Sequence, residues 1–109
     1  MRDIKKLVRQ AGISSVGYDN EVKDKGGIWA EININSITPV TERLNITVYR
    51  VKLYARKEKR VSHENAIKNI IAMANDMPTF SFTSSDNEDD DTLLIQQIII
   101  AQSGRVNKE

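Results

Sequence analysis

The sequence contains no cysteine, one histidine and two prolines. Without cysteine there is no disulfide framework, no thiolate metal site and no cysteine nucleophile. That fits a reducing compartment. One histidine excludes a multi-histidine zinc site within one chain. Long apolar runs are missing as well. The longest, Leu93 to Ala101, is interrupted by Gln96 and Gln97 and falls far short of the roughly 20 residues a membrane helix needs. The basic N-terminus, with Arg2, Lys5, Lys6 and Arg9, leads into no apolar stretch, so no signal peptide is expected. These absences together predict a soluble protein made in a cytoplasm, with no membrane partner. Charge of one sign is not in excess either: 16 basic residues face 15 acidic ones, for a net charge of +1. Domains that hold polyanions by bulk charge are usually strongly basic. No phosphate loop, dinucleotide fingerprint, nucleophile elbow or zincin motif occurs. Nothing in the sequence supports an enzyme, a cofactor, a catalytic residue or a metal site.

What remains is enough for one domain, residues 1 to 109, with a polar tail expected from about Gly104. Ile4, Leu7, Val8 and Ala11 recur at helical spacing, and Gly12 follows where a glycine cap belongs. Ile13 to Tyr18 is a weak strand candidate. Asp19 to Gly27 is polar and ends in a turn signal. Ile28 to Asn35 alternates with period two, the mark of a half-buried strand. Ser36 to Glu42 is expected to be a connection, with Pro39 interrupting any ladder.

Leu44 to Arg56 is the longest strand candidate, and its apolar parity switches. Leu44, Ile46 and Val48 occupy even positions, whereas Tyr49, Val51, Leu53 and Ala55 occupy odd ones. Either a bulge or burial of different faces at the two ends would account for this. At about 3.3 Å per residue such a strand is on the order of 40 Å long, which exceeds the core of so small a domain. One end is expected to project as a hairpin arm or to lie against another subunit.

Arg56 to Arg60 reads as a charged turn, and Ser62 as the N-cap of a helix with Glu64 in its first turn. Ala66, Ile67, Ile70, Ile71, Ala74 and Met77 give that helix an apolar stripe, closed by Asp76 to Pro78. Thr79 to Thr83 alternates, with Phe80 and Phe82 inward. Ser84 to Asp91 reads as an acidic loop. Leu93 to Ala101 is apolar on both faces, as in a central strand or one covered by a partner. The expected fold is α+β: a mostly antiparallel sheet, meander plus returning hairpin, with a short N-terminal helix and one long helix packed on it.

Three groups of residues invite functional readings. Asp86, Glu88, Asp89, Asp90 and Asp91 put five carboxylates in six positions. The spacing does not match an EF-hand, and a solvated hairpin tip is the favoured reading. Arg50, Lys52, Arg56, Lys57, Lys59 and Arg60 hold six of the 16 cations, with Tyr49 and Tyr54 among them. Basic residues beside aromatic rings can hold single-stranded nucleic acid. A lysine-rich exposed edge is the plainer alternative. A small nucleic-acid-binding protein using this 50–60 surface is therefore the competing functional reading. Cations at 50–60 and anions at 86–91 also suggest separate patches of opposite sign, suited to head-to-tail association.

His63 is flanked by Ser62 and Glu64, but neighbours at a helix start do not converge as a triad must. It is expected to be a surface residue. Trp29 lies on the polar side of its strand and could be an interface anchor or the lid of a second core under the N-terminal helix. An enzyme site built between subunits would need perturbed carboxylates near Glu31, Glu42 or Glu64.

The layout as a whole resembles the small tail-terminator and head–tail neck proteins of long-tailed bacteriophages. The matching elements are Ile4 to Ala11, Ile28 to Arg56, Ser62 to Asp76 and Phe80 to Ala101. Thr41 to Ala55, with its tyrosine pair, the charged turn and the alanine–isoleucine helix carry most of the likeness. The resemblance implies a structural virion protein, located in the tail or neck, that forms a ring, commonly a hexamer. Such a ring caps the tail tube and joins it to the head connector, so the partners are other copies of itself, the tail-tube protein and the head-connector or stopper protein. DNA is met only in passage. Trp29, Tyr49, Val51 and Tyr54 are the residues expected at subunit or tube contacts. The acidic loop is expected at the lumen or rim, where negative charge would let DNA slide past.

Overall fold

The computed structural model describes residues 2–18 and 26–105. Helix α1 (Arg2–Gln10) buries Ile4, Leu7 and Val8. It ends as its sequence demands: Gly12 has a φ of 112°, a conformation that costs glycine little, and its N–H donates to the Arg9 carbonyl at 3.0 Å. Lys5 reaches the ring of Tyr18, with its ammonium 5.4 Å from the centroid. That ties α1 to β1 (Val16–Tyr18). The polar segment at residues 19–25 lies outside the described residues, as do residues 106–109.

The sheet has five strands: β1, β2 (Ile28–Thr41), β3 (Leu44–Arg56), β4 (Phe80–Asn87) and β5 (Leu93–Arg105). Their spatial order is β1-β2-β3-β5-β4. Every pairing is antiparallel except β1 with β2. Helix α2 (Arg60–Asp76) packs against β3, β5 and β4, while α1 packs beside it against β1. No helix of the described residues is long and apolar enough to cross a membrane. The fold is α+β, with both helices on one side of the sheet.

That arrangement explains the parity switch. β3 runs beside β5 in unbroken register from Leu44–Arg105 to Arg56–Leu93, so β3 is not bulged. The irregularity sits in its other neighbour, between Ile34 and Ser36 of β2. Tyr49, Val51, Leu53 and Ala55 point under the helices and are buried. Leu44, Ile46 and Val48 point to the opposite face and are half-buried. The two halves of the strand bury different faces.

Several boundaries differ from the sequence expectation. Ser36 to Glu42 is not a loop, because β2 continues to Thr41 and pairs with β3 up to a two-residue turn at Glu42 and Arg43. Pro39 is accommodated because β2 is an outer strand there, and the register shifts again between Pro39 and Thr41. Helix α2 begins at Arg60, after a 3-10 turn at Lys57–Lys59, so Ser62 is not its cap. β4 takes in Ser84 to Asn87, which shortens the acidic loop to residues 88–92. Gly104 and Arg105 continue β5 instead of opening a tail.

His63 is corrected too. It is only 3% exposed, because the helix starts earlier than expected and turns residue 63 toward the sheet with Ala66, Ile70 and Ala74. Its Nε2–H donates to the Leu53 carbonyl at 2.8 Å, which satisfies a polar group that burial would otherwise penalise.

Candidate interaction surface

With both helices on one face, the other face of the sheet is uncovered among the described residues. Period two along β2 and β3 places Trp29, Glu31, Arg50, Lys52 and Tyr54 there, all half-buried by their neighbours. Register pairs Trp29 with Tyr54 and Glu31 with Lys52 across the two strands. The Trp29 and Tyr54 rings stack, 5.5 Å between centroids and 9° from parallel. Trp29 therefore faces away from α1 and is not the lid of a second core beneath it. Burial, and the charges of Glu31 and Glu88, push the Tyr54 phenol above its ordinary pKa.

The four residues nominated for contacts divide between the two faces. Trp29 and Tyr54 lie on the open face. Val51 is completely buried and Tyr49 nearly so, both in the core beneath the helices. Tyr49 Oη donates to Gln102 Oε1 at 3.2 Å. Val51 is enclosed by the chain itself and offers a partner no surface, and Tyr49 offers almost none.

The expected separation of charge is also corrected, since the fold brings the basic and acidic segments together. Lys52 Nζ stands 3.7 Å from Glu88 Oε1. Lys57 Nζ donates to the Asp90 carbonyl at 2.8 Å. Arg50 Nη2 donates to Asn35 Oδ1 at 2.7 Å. Arg56, Lys57, Lys59 and Arg60 are exposed at the junction of β3 and α2. The near-neutral net charge is thus partly a local cancellation at one end of the sheet.

The carboxylates of the acidic loop have local work. Asp90 Oδ1 accepts from the Thr92 N–H at 2.8 Å, the Leu93 N–H at 2.7 Å and the Thr92 hydroxyl at 3.1 Å. Asp89 Oδ1 accepts from the Ile95 N–H at 2.7 Å. These bonds close the β4–β5 hairpin. The Leu93 and Thr92 N–H groups hold the Asp90 carboxyl below its ordinary pKa. At Asp89 desolvation pushes the other way, but the Ile95 N–H, Asn87 and the nearby Lys57 and His63 outweigh it, so its pKa is lowered as well. Asp86, Glu88 and Asp91 are exposed. No group of three or more His, Asp or Glu side chains that could hold a metal occurs among the described residues.

The length of β3 predicts a projecting arm, but the connection expected at Ser36 to Glu42 hid its second strand, since β2 continues to Thr41. β2, β3 and the last residues of β5 form an arm in a molecule 48 Å long and 26 by 21 Å across. On this arm Ile34, Ile37 and Val40 are 42%, 56% and 52% exposed. Ile34 and Ile37 border an open depression of about 290 Å³, together with Asn45, Thr47, Tyr49, Gln102 and Gly104. The β-branched run Ile37-Thr38-Pro39-Val40-Thr41 carried the signal for this strand; Pro39 argued the other way.

No family model matches the chain, and no curated protein matches it. Among solved structures, the chain is similar to a chain of the "Virion of native gene transfer agent (GTA) particle". The TM-score is 0.64, with 8% sequence identity, over 94% of this chain and 94% of that one. At so low an identity the likeness is one of fold, and it covers the two chains almost end to end.

Proposed function

We propose that this chain is a structural protein of a phage-type virion, of the tail-terminator or neck type. Copies close into a ring, a hexamer, that caps the tail tube and joins it to the head connector. The observation that carries this reading is the fold shared over 94% of both chains with a component of a virion particle. Two features of the molecule support it. The open sheet face keeps a stacked Trp29–Tyr54 pair half-exposed, a composition favoured at protein contacts. The arm carries three exposed branched residues that the chain itself does not cover. A subunit of this kind completes its burial through its neighbours.

On this reading the mechanism is association, not chemistry. Trp29 and Tyr54 meet a neighbouring subunit or the tail tube. Asp86 and Asp91 carry negative charge to the rim or lumen, where passing DNA is repelled, while Glu88 stands against Lys52. Tail-tube and head-connector proteins are the partners, and the virion is the location. Native mass measurement, with and without a candidate tail-tube protein, tests the reading. A closed multimer is expected, alone or on the tube. A strictly monomeric mass in both conditions overturns it.

A further inference from the structure

We propose that copies of this chain join edge to edge, the outer edge of β2 on one copy pairing with the outer edge of β4 on the next. This rests on the ring reading above and specifies the contact that would close the ring.

β1 pairs only with Ala30, Glu31 and Ile32 of β2. From Asn33 to Thr38 the outer side of β2 has no partner strand among the described residues. Pro39 ends that run. At the other side of the sheet β4 is outermost, paired only with β5 among the described residues. Exposed edges are normally guarded by lysine or other charge, because an unguarded edge is a template for another strand. Neither edge here carries such charge; Pro39 and the irregularities at 34–36 and 82–84, which also blunt edges, limit the free stretch of each strand to a few residues. Residues 32 to 41 contain no charged side chain, and Phe80 to Ser85 contain none either, in a chain that is 28% charged.

Polarity and height agree as well. β2 is antiparallel to β3, β3 to β5, and β5 to β4. β4 therefore runs opposite to β2, and a copy moved sideways presents its β4 to β2 in the antiparallel sense, the stabler pairing. Phe82 shares a row with Ile100, Tyr49 and Ile34. Phe80 shares one with Gln102, Thr47 and Ile37. A neighbour at the same height, as in a flat ring, thus sets Phe82 beside Ile34 and Phe80 beside Ile37, all on the helix-bearing face. The exposed isoleucines gain apolar cross-strand partners. β1 blocks the rows below Asn33, which confines the contact to Phe80–Ser84. The register shift of β4 between Phe82 and Ser84 lies where the strand must bend away.

The contact is heterologous, and the test uses that. Ile37→Lys guards one edge and Thr83→Lys the other; both positions are exposed, so the fold should survive, as circular dichroism would verify. Native mass is read at tens of micromolar. The wild type should form a closed multimer, and each variant alone should be monomeric. An equimolar mixture should give a heterodimer and nothing larger, because one intact β2 edge and one intact β4 edge remain. Val61→Lys, on the exposed side of α2 (71%), should assemble like the wild type. A multimer that survives both edge substitutions overturns the edge contact and leaves the ring reading standing. Dimers of Thr83→Lys alone would show a symmetric β2–β2 contact instead, also against the proposal. A wild type that stays monomeric both alone and with a candidate tail-tube protein overturns the ring reading, and the edge contact with it; a wild type that closes only on the tube is compared with the variants there.

Discussion

Val51→Ala separates the protomer core from its contacts. Val51 is fully buried on the central strand β3, in register with Ile32 on one side and Ile98 on the other, both fully buried themselves. The substitution removes two methyl groups, worth about 0.8 kcal/mol each on transfer. The unrelaxed cavity adds to this, giving about 2–3 kcal/mol. A domain of this size has a net stability of roughly 5–15 kcal/mol, so the loss is a large part of the margin. With a urea m-value of about 1–3 kcal/mol per M, the midpoint should fall by about 1 M or more at fixed protein concentration. The melting temperature should drop by roughly 10–20 °C, at about 4–8 °C per kcal/mol. Native mass under folding conditions should not change, because no surface is removed. An unchanged urea midpoint together with lost assembly would refute the reasoning. Val51 would then face a partner, and the helices could not cover that side of the sheet.

Trp29→Ala should do the reverse. It removes a half-exposed stacking partner, costing the protomer about 0.5–1.5 kcal/mol, so urea denaturation should show a small shift while native mass shows weakened assembly. The hairpin carboxylates set an acid response. Asp89 and Asp90 both have folded-state pKa values below their ordinary value. Their stabilisation is therefore present above the ordinary carboxylate range and is lost as pH falls through the lowered values. Urea midpoints measured from neutral pH downward should decline on that limb, and the decline should be shallower in Asp89→Ala/Asp90→Ala. Equal slopes would show that these two groups do not contribute.

Legibility followed the scale of the signal. The α1 stripe and its Gly12 cap, the alternation of Ile28 to Asn35 and the apolar face of α2 are local patterns, and the fold preserves them. The parity switch in β3 was visible as a conflict, but its cause was not. Two mechanisms produce the same sequence, and only the unbroken β3–β5 register distinguishes them. Pro39 misled because proline disfavours a ladder in general but not on an outer strand, and edge or centre is a property of the whole sheet. Ser62 misled in the same way. A good capping residue lay within the first turn of a helix whose actual start, at Arg60, has no side-chain cap.

The sequence by itself determined the class of fold, the helices and most strands, and the absence of cysteine chemistry, because these depend on composition and on periods of 2 and 3.6 residues. Tertiary structure alone decided which side of each strand met the helices. Parity already set Trp29 and Tyr54 on the opposite side from Tyr49 and Val51; the seat of the helices enclosed Tyr49 and Val51 and left Trp29 and Tyr54 on the open face. Tertiary structure also brought Lys52 to Glu88 and Lys57 to Asp90, turning two charge clusters far apart in sequence into one locally neutralised end. Distance along the chain carries no information about such contacts. They arise when β5 inserts between β3 and β4, and that insertion also leaves uncharged stretches of β2 and β4 at the two sides of the sheet.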